Sequence, residues 1–233
     1  MSAKLHVLCA GAAQGLVKAL APRLLAEADA EIEGRFGAVG AMQEALLAGE
    51  PCDLMIVTEK MIGELVVSGA LRGDSTAPLG RVRTGVAVRH GSPRPDVSTP
   101  EALKAALRAA DAIYFPDAVK STAGIHFANV MRQLGIHDEL QPRFRTFPNG
   151  ATAMRELAAN DAPGVIGCTQ VTEINYTAGV ELVAPLPARF ELATVYTAAV
   201  SAQAVEPALA ARFIAMLTGV DAKSVRAAGG FED

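Results

Sequence analysis

Hydrophobic and polar positions alternate with a regular rhythm through the first third of the chain. Residues 5–10 form a short, mostly apolar run that predicts a buried strand, and leucines at helical spacing follow it. Residues 31–36 alternate between polar and apolar, and residues 53–57 are apolar again, so both segments are predicted strands. Helical patterns through Met42 and Leu65 follow these two strands. This order predicts a parallel sheet covered by helices, and hence an α/β fold.

The same kind of pattern continues to the end of the chain. Further strands are predicted at 83–89, 111–115, 144–147, 164–168, 181–183 and 193–200. Helices are predicted at 121–134, after Asn149-Gly150, and around Phe213. The two long strands, 83–89 and 193–200, bracket the middle of the chain, and such a pair can lead from one lobe to another and back. The tail, 229–233, is expected to be partly loose.

Composition excludes several classes of function. The chain has 233 residues, 51% hydrophobic and 20% charged, which is typical of a globular protein with one large or two small domains. The net charge is −4 without a Lys/Arg-rich run, so a nucleic-acid partner is not expected. No run of eighteen apolar residues predicts a membrane span.

Cysteine and histidine positions predict neither a disulfide framework nor a metal site. Cys9, Cys52 and Cys168 are odd in number, widely spaced and without a C-x-x-C pair, which favours buried free thiols. The histidines share no metal-ligand spacing. We therefore expect no metal and no cofactor.

The first thirteen residues resemble a secretory signal, although imperfectly. A lysine and an apolar stretch precede small residues, but His6 and Cys9 interrupt an apolar run that is already short. The same residues make a complete strand leading into a glycine turn, and cleavage near Ala13 would remove that strand. The sequence therefore favours a cytoplasmic location.

Several segments resemble the molybdate-binding proteins of ABC transporters, which belong to the type II periplasmic-binding-protein family. The resemblance is carried by motifs across nearly the whole chain: Val7 to Leu20, Phe36-Gly37-Ala38-Val39-Gly40-Ala41-Met42, Ala48-Gly49-Glu50-Pro51-Cys52-Asp53-Leu54, Ala123-Gly124-Ile125-His126-Phe127 and Gly179-Val180-Glu181-Leu182-Val183. It implies two lobes, 1–82 plus 197–233 and 83–196. Each lobe would be a mixed, mostly parallel sheet flanked by helices, with a ligand cleft between the lobes.

The resemblance also implies an anion held by hydroxyls and by backbone N–H groups at helix N-termini. At the matching positions Ala12, Val39 and Gly167, the hydroxyls of the molybdate binders are absent. A dehydrated tetrahedral oxyanion would lose several hydrogen bonds, each worth roughly 1.5–3 kcal/mol. A larger, partly apolar anion is therefore expected instead of molybdate.

The predicted ligand-binding residues lie where strands end and helices begin. They are Ala12, Ala13, Gln14, Ala38, Val39, Thr58, Lys120, Ser121, Thr122, Ala123, Asn149, Gly150, Thr169 and Gln170. The glycine turn at residues 11–15 lacks the G-x-G-x-x-G pattern of a dinucleotide loop, so backbone contact with a small ligand is favoured there.

Three residues are candidates for catalysis: Glu59, Lys120 and His126. Glu59 follows a strand at the edge where open α/β sheets bind ligands, and as a base it could move a proton. Lys120 lies before a helix start, where a cation and two hydroxyls could surround a carboxylate. Each has a structural alternative: a solvated acid for Glu59, a helix cap at Ser121 or Thr122, and a partly exposed helix residue for His126.

Two functions remain open. Aconitate isomerase belongs to the same superfamily, and this analogy favours a cofactor-independent isomerase acting on a small unsaturated or keto carboxylate. The alternative is a non-catalytic binding protein for an oxyanion or carboxylate. Only that alternative implies an ABC permease as a partner.

Overall fold

The computed structural model describes residues 2–233, in which strands and helices alternate along the chain. The strands are β1 (Ala3–Ala10), β2 (Ala30–Gly37), β3 (Leu54–Thr58), β4 (Ala77–Arg89), β5 (Ala112–Pro116), β6 (Phe144–Phe147), β7 (Val165–Gln170), β8 (Val180–Pro185) and β9 (Ala193–Val200). The helices are α1 (Gly11–Ala28), α2 (Val39–Leu47), α3 (Glu59–Val67), α4 (Pro100–Ala109), α5 (Thr122–Gln133), α6 (His137–Leu140), α7 (Gly150–Ala159), α8 (Val171–Asn175), α9 (Pro207–Thr218) and α10 (Lys223–Gly229). The predicted α/β class is confirmed.

The chain divides into two units. Unit 1 comprises the chain up to Arg81 together with Thr194–Asp233, and unit 2 comprises Val82–Ala193. The sequence predicts these boundaries at 82/83 and 196/197. Strands β4 and β9 each contain one of the two points at which the chain passes from one unit to the other.

Unit 1 is built on a mostly parallel sheet. Strand β1 pairs in parallel with β2 on one side and with β3 on the other, and β9 pairs antiparallel with β3. Strand β1 is central and apolar at six of its eight positions, as expected for an inner strand of a parallel sheet covered by helices. Strand β2 alternates with Glu31, Glu33 and Arg35, which suits an edge strand with one face in solvent.

The strands of unit 2 pair in both parallel and antiparallel directions. Strand β4 pairs antiparallel with both β7 and β8, while β5 pairs in parallel with both β7 and β6. Its larger apolar cluster includes Phe115 and Phe127, whose rings meet edge to face at 5.5 Å. This core joins α5 to the end of β5, which is the part of the sheet that carries the candidate site.

Strands β4 and β7 are among those that extend beyond their predicted bounds. Strand β4 begins at Ala77 rather than at 83. The pattern does not predict residues 77–82 as a strand because they include Pro78 and Gly80, and both residue types usually interrupt strands. Strand β7 includes Thr169 and Gln170, which the pattern places just after the strand. The second difference matters for the site, because it fixes these two side chains on the sheet.

The expectation of a loose C-terminal tail is wrong. Phe231 is buried, and Glu232 exchanges two backbone hydrogen bonds of 2.8 Å with Arg81. The short helices α6, α8 and α10 also lie outside the predicted elements, because four to seven residues carry too little periodicity to be read as helices.

Candidate functional site

The three parallel strands of unit 1 end at one edge of the sheet, and a helix begins directly after each of them. Strand β1 ends at Ala10, β2 at Gly37 and β3 at Thr58, so α1, α2 and α3 all start along this edge. The carboxyl edge of a parallel sheet is where open α/β proteins bind ligands. The edge gathers seven of the predicted residues: Ala12, Ala13, Gln14, Ala38, Val39, Thr58 and Glu59.

Two of these three helix starts have no side-chain cap. The N-cap residues of α1 and α2 are Ala10 and Ala38, which carry no acceptor, so the first N–H groups of both helices are not capped. In contrast, the Thr58 hydroxyl accepts a hydrogen bond of 3.3 Å from the N–H of Met61 at the start of α3. The first two helices therefore offer donors that suit an anion, while Thr58 is already used as a cap.

The side chains along this edge are mostly small and apolar. Ala12, Ala13, Ala38 and Val39 are buried, Gln14 is half-buried and Glu59 is exposed in the first turn of α3. The chemistry that unit 1 offers to a ligand consists of backbone donors and one amide, with the exposed carboxylate of Glu59 beside them.

The edge of the sheet in unit 2 has the same construction. Strands β5, β6 and β7 are parallel neighbours, and α5, α7 and α8 begin at their carboxyl ends. The start of α5 packs so closely on the end of β5 that a Cβ at Gly124 would lie 2.2 Å from the carbonyl oxygen of Asp117. Only glycine fits there, which fixes the position of the α5 N-terminus.

The segment from Lys120 to Ala123 lies at that N-terminus. The Asp117 carboxylate accepts hydrogen bonds from the N–H groups of Val119 and Lys120, at 2.7 and 2.8 Å, and shapes the turn before α5. Lys120 is exposed, Ser121 and Ala123 are buried, and Thr122 is half-buried. Ser121 occupies the N-cap position, yet its side chain makes no capping hydrogen bond. The capping role that the sequence allows for Ser121 is therefore wrong.

His126 has a structural contact that the sequence does not predict. Its Nε2 lies 2.8 Å from the carbonyl oxygen of Phe190. A carbonyl only accepts, so Nε2 carries the hydrogen and donates it. A catalytic role for His126 would have to use Nδ1, because Nε2 is engaged.

The side chain of Glu173 occupies the N-terminus of α7. The Glu173 carboxyl group accepts hydrogen bonds from the Thr169 hydroxyl at 2.5 Å and from the Ala151 N–H at 3.2 Å. It also accepts from the backbone N–H groups of Gly150 and Gln170. Burial raises the pKa of Glu173 above its ordinary value, and these hydrogen bonds oppose the rise without cancelling it.

Three of the predicted ligand-binding residues are therefore already engaged. The Asn149 side chain accepts from the N–H of Thr152 at 2.8 Å and caps α7, while Gly150 and Thr169 donate to Glu173. The donors of Gly150 and Thr169 are therefore not available to an external anion, and the amide oxygen of Asn149 is occupied as the cap of α7.

Buried polar atoms without partners lie beside this engaged group. Gln170 is 2% exposed and Thr84 is 1% exposed, and neither the amide of Gln170 nor the hydroxyl of Thr84 has a hydrogen-bond partner among the described residues. The two residues stand directly opposite each other in the β4–β7 ladder. The hydroxyl of the buried Thr172 is also without a partner in the described part of the chain. We call Thr84, Gln170 and Thr172 the polar cluster.

Such a cluster is unusual in a folded protein. The large majority of buried side-chain polar atoms have a partner, and leaving one unsatisfied costs about 1–3 kcal/mol. Four polar atoms of these three side chains lack one. A ligand that accepts and donates hydrogen bonds would remove this cost.

Thr84, Thr172 and Glu173 are not among the residues that the sequence predicts for the site. A signal for Glu173 was present, because Glu at the third position of a helix often accepts from the backbone N–H of the N-cap residue, here Gln170. No comparable signal marks Thr84 or Thr172. A threonine in a strand or helix becomes informative only when its hydroxyl is seen to be buried without a partner.

The described residues offer neither a reactive thiol nor a metal cluster. The three cysteines are free and buried, and burial raises the pKa of each thiol, to about 12 for Cys52. Within residues 2–233, no group of three or more His, Cys, Asp or Glu is arranged to hold a metal ion. None of the described helices is both long and apolar enough to cross a membrane.

Known proteins match the chain over most of its length. The sequence model of a bacterial extracellular solute-binding protein family matches residues 5–232. An aconitate isomerase from a Pseudomonas species is 26% identical over 186 residues, which are 78% of this chain and 68% of that protein.

Two solved structures extend the comparison to the fold. The periplasmic molybdate-binding protein of Azotobacter vinelandii superposes with a TM-score of 0.79 at 20% identity, covering 98% of this chain and 99% of its own. The sulfate-binding protein SubI of Mycobacterium tuberculosis has a TM-score of 0.73 at 18% identity, covering 98% and 86%.

The two α/β units, each with helix starts along the carboxyl edge of its sheet, have the periplasmic-binding-protein type of fold. The chain belongs to the bacterial extracellular solute-binding protein family.

Proposed function

We propose that this chain binds a small unsaturated or keto carboxylate and isomerises it without a cofactor. The observation that carries the binding step is the polar cluster. Gln170 and Thr84 are buried, lie opposite each other and have no partner for three polar atoms among the described residues. A carboxylate or keto oxygen of the ligand accepts from an amide N–H and a threonine hydroxyl, and a hydroxyl group of the ligand donates to the amide oxygen.

The helix starts supply the second part of the binding chemistry. The N–H groups at the uncapped starts of α1 and α2 favour negative charge, and so does the start of α5. The buried apolar residues Ala12 and Val39 suit the carbon skeleton of an organic anion better than a small tetrahedral oxyanion. These features support an organic anion with both charged and apolar parts.

The isomerisation step requires a base and a stabilised intermediate. A base removes a proton from a carbon conjugated with the carboxylate, the charge spreads into an enolate-like anion, and the proton returns at another carbon. Helix N–H groups and Lys120 would stabilise that anion, and Glu59 or Nδ1 of His126 would carry the proton. The similarity to an aconitate isomerase supports this choice of reaction.

A non-catalytic receptor is the second candidate. The structural similarity to a molybdate-binding and a sulfate-binding protein favours it, and a transport receptor would have an ABC permease as its partner. The two candidates also differ in location. A cytoplasmic protein suits the isomerase, and a protein recovered from the periplasm suits the receptor.

The polar cluster can be tested by two nearly isosteric substitutions, Gln170→Leu and Thr84→Val. Each removes unpartnered polar atoms, so thermal stability without ligand is expected to stay equal or rise. Affinity for the bound carboxylate is expected to fall about 10–100-fold for Gln170→Leu, because a hydrogen bond to a charged group is worth roughly 1.5–3 kcal/mol. Isothermal titration calorimetry against a carboxylate panel measures the affinity. The panel comprises unsaturated and keto di- and tricarboxylates, including aconitate.

Thr218→Val is the matched control for Thr84→Val. The Thr218 hydroxyl donates to the carbonyl of Ile214 at 2.9 Å, so its loss is expected to cost some stability and leave ligand affinity unchanged. Unchanged affinity in both Gln170→Leu and Thr84→Val would contradict the proposed binding site.

A further inference from the structure

The Glu173 carboxyl group occupies a place that an external anion would otherwise take. Helix α7 has ten residues, and the N–H groups of its first two residues, Gly150 and Ala151, point to this carboxyl. The Gln170 N–H at the start of α8 and the Thr169 hydroxyl complete four hydrogen bonds to it. Bound anions at helix N-termini are held by the same kind of donors.

The surrounding backbone is shaped to admit this carboxyl. A Cβ added at Gly150 would lie 2.0 Å from Oε2 of Glu173 and 1.9 Å from Oγ1 of Thr169. The absent side chain at 150 leaves the volume that the carboxyl of Glu173 fills. The glycine and the acid are complementary parts of one arrangement.

We propose that Glu173 is a built-in anion that determines ligand specificity by excluding external oxyanions from the α7 N-terminus. A second negative group brought to this place would face a carboxyl group and find its donors already used. What remains beside it is the polar cluster, in which Gln170 and Thr84 offer hydrogen bonds and no formal charge. The specificity part of this inference rests on the proposed function, while the occupancy of α7 by Glu173 does not.

The consequence for ligand choice is specific. At this edge of unit 2 the ligand would present a single carboxylate or a keto oxygen, which accepts from the amide N–H and the hydroxyl, or a hydroxyl group, which can also donate to the amide oxygen. Compact tetrahedral dianions such as sulfate would be rejected, because they need several charged or backbone donors at once.

Glu173→Ala provides the direct test. The truncation removes Cγ, Cδ and the two oxygens, which are the four heavy atoms of acetate. In the full-length variant, acetate at constant ionic strength is expected to raise the melting temperature saturably, whereas chloride is not. The wild-type protein is expected to respond equally weakly to both salts.

Glu173→Gln serves as the companion variant. Its amide keeps the volume filled, so the variant is expected to fold and to show no acetate response. If Glu173→Ala fails to fold in chloride, its refolding yield in acetate replaces the melting temperature, and a yield that acetate does not raise counts against the inference. An acetate effect no larger in Glu173→Ala than in wild type would overturn it.

Sulfate titration tests the specificity part. Affinity for sulfate is expected to increase at least tenfold from wild type to Glu173→Ala, and unchanged affinity would overturn the exclusion of oxyanions. The outcome is separate from the proposed function. Acetate could stabilise Glu173→Ala while Gln170→Leu still binds the carboxylate panel with unchanged affinity. That result would support Glu173 as the occupant of the α7 N-terminus and reject the polar cluster as the ligand site.

Discussion

Gly150→Ala is expected to destabilise the protein by about 3 kcal/mol or more. The added methyl group would overlap Oγ1 of Thr169 and Oε2 of Glu173, at 1.9 and 2.0 Å, and both atoms are fixed by their mutual hydrogen bond. Overpacking a tight site usually costs about 1–3 kcal/mol, and here the displaced carboxyl also leaves helix N–H groups without an acceptor. Chemical denaturation measures the free energy of unfolding.

Gly63→Ala is the control for that substitution. Gly63 lies within α3, is exposed, and a Cβ there would have no atom within 4 Å. The same chemical change is expected to stabilise the protein by about 0.5–1 kcal/mol, because alanine favours helix. If Gly150→Ala proves as harmless as Gly63→Ala, the arrangement of Glu173 against α7 is wrong.

Asp53→Ala is expected to cost about 2–4 kcal/mol of stability. The Asp53 carboxylate is buried and accepts from the backbone N–H groups of His6, Val205 and Glu206, at 2.7–2.9 Å, and from Nδ1 of His6 at 3.1 Å. It thus joins the first strand to the start of α9. Its removal leaves three backbone donors without an acceptor, and each unsatisfied donor costs about 1–3 kcal/mol of stability. Water that reaches a donor reduces this cost.

The water can come from a cavity of about 500 Å³ in unit 1 that Asp53 lines with His6 and Ser201. Asp96→Ala is the comparison, because Asp96 is exposed and accepts from the N–H of Ser98. It is expected to change stability by less than about 0.5 kcal/mol. Equal losses in the two variants would show that Asp53 does not hold α9 to the first strand.

The Asp53 contribution should depend on pH in a defined direction. Burial raises the pKa of Asp53, but the hydrogen bonds from Glu206, His6 and Val205 outweigh it, and the pKa falls below the ordinary 3.8. The stabilisation is therefore present above pH 3.8 and disappears as the pH falls through the lowered pKa of the folded state. The stability gap between wild type and Asp53→Ala should narrow in that acid range, as measured by unfolding at a series of pH values.

Much of the fold is predictable from the sequence because long elements carry strong periodic signals. Strands β1 and β9 are each mostly apolar over eight residues, and α1 repeats leucine at helical spacing. The differences occur where local signals are weak or contradictory. Helix α8 has only five residues, and the first half of β4 contains Pro78 and Gly80.

The candidate site is less predictable, because its chemistry depends on which donors and acceptors are already paired. The sequence places Gly150, Thr169 and Gln170 correctly at strand ends and helix starts, yet it cannot separate an engaged donor from an unpartnered one. Gly150 and Thr169 donate hydrogen bonds to Glu173, whereas the side-chain amide of Gln170 has no partner among the described residues. The partner of Gln170 in the ladder, Thr84, is 86 positions away in the chain, which only strand pairing reveals.

The most direct test of the proposed function is one-dimensional proton NMR of the full-length protein in D₂O with the carboxylate panel. Conversion of one isomer into another, with deuterium entering the product faster than in a protein-free control, is the predicted result. That conversion should weaken in Gln170→Leu. Line broadening without any turnover would contradict the isomerase and favour a carboxylate receptor, and unchanged spectra across the panel would contradict carboxylate binding itself.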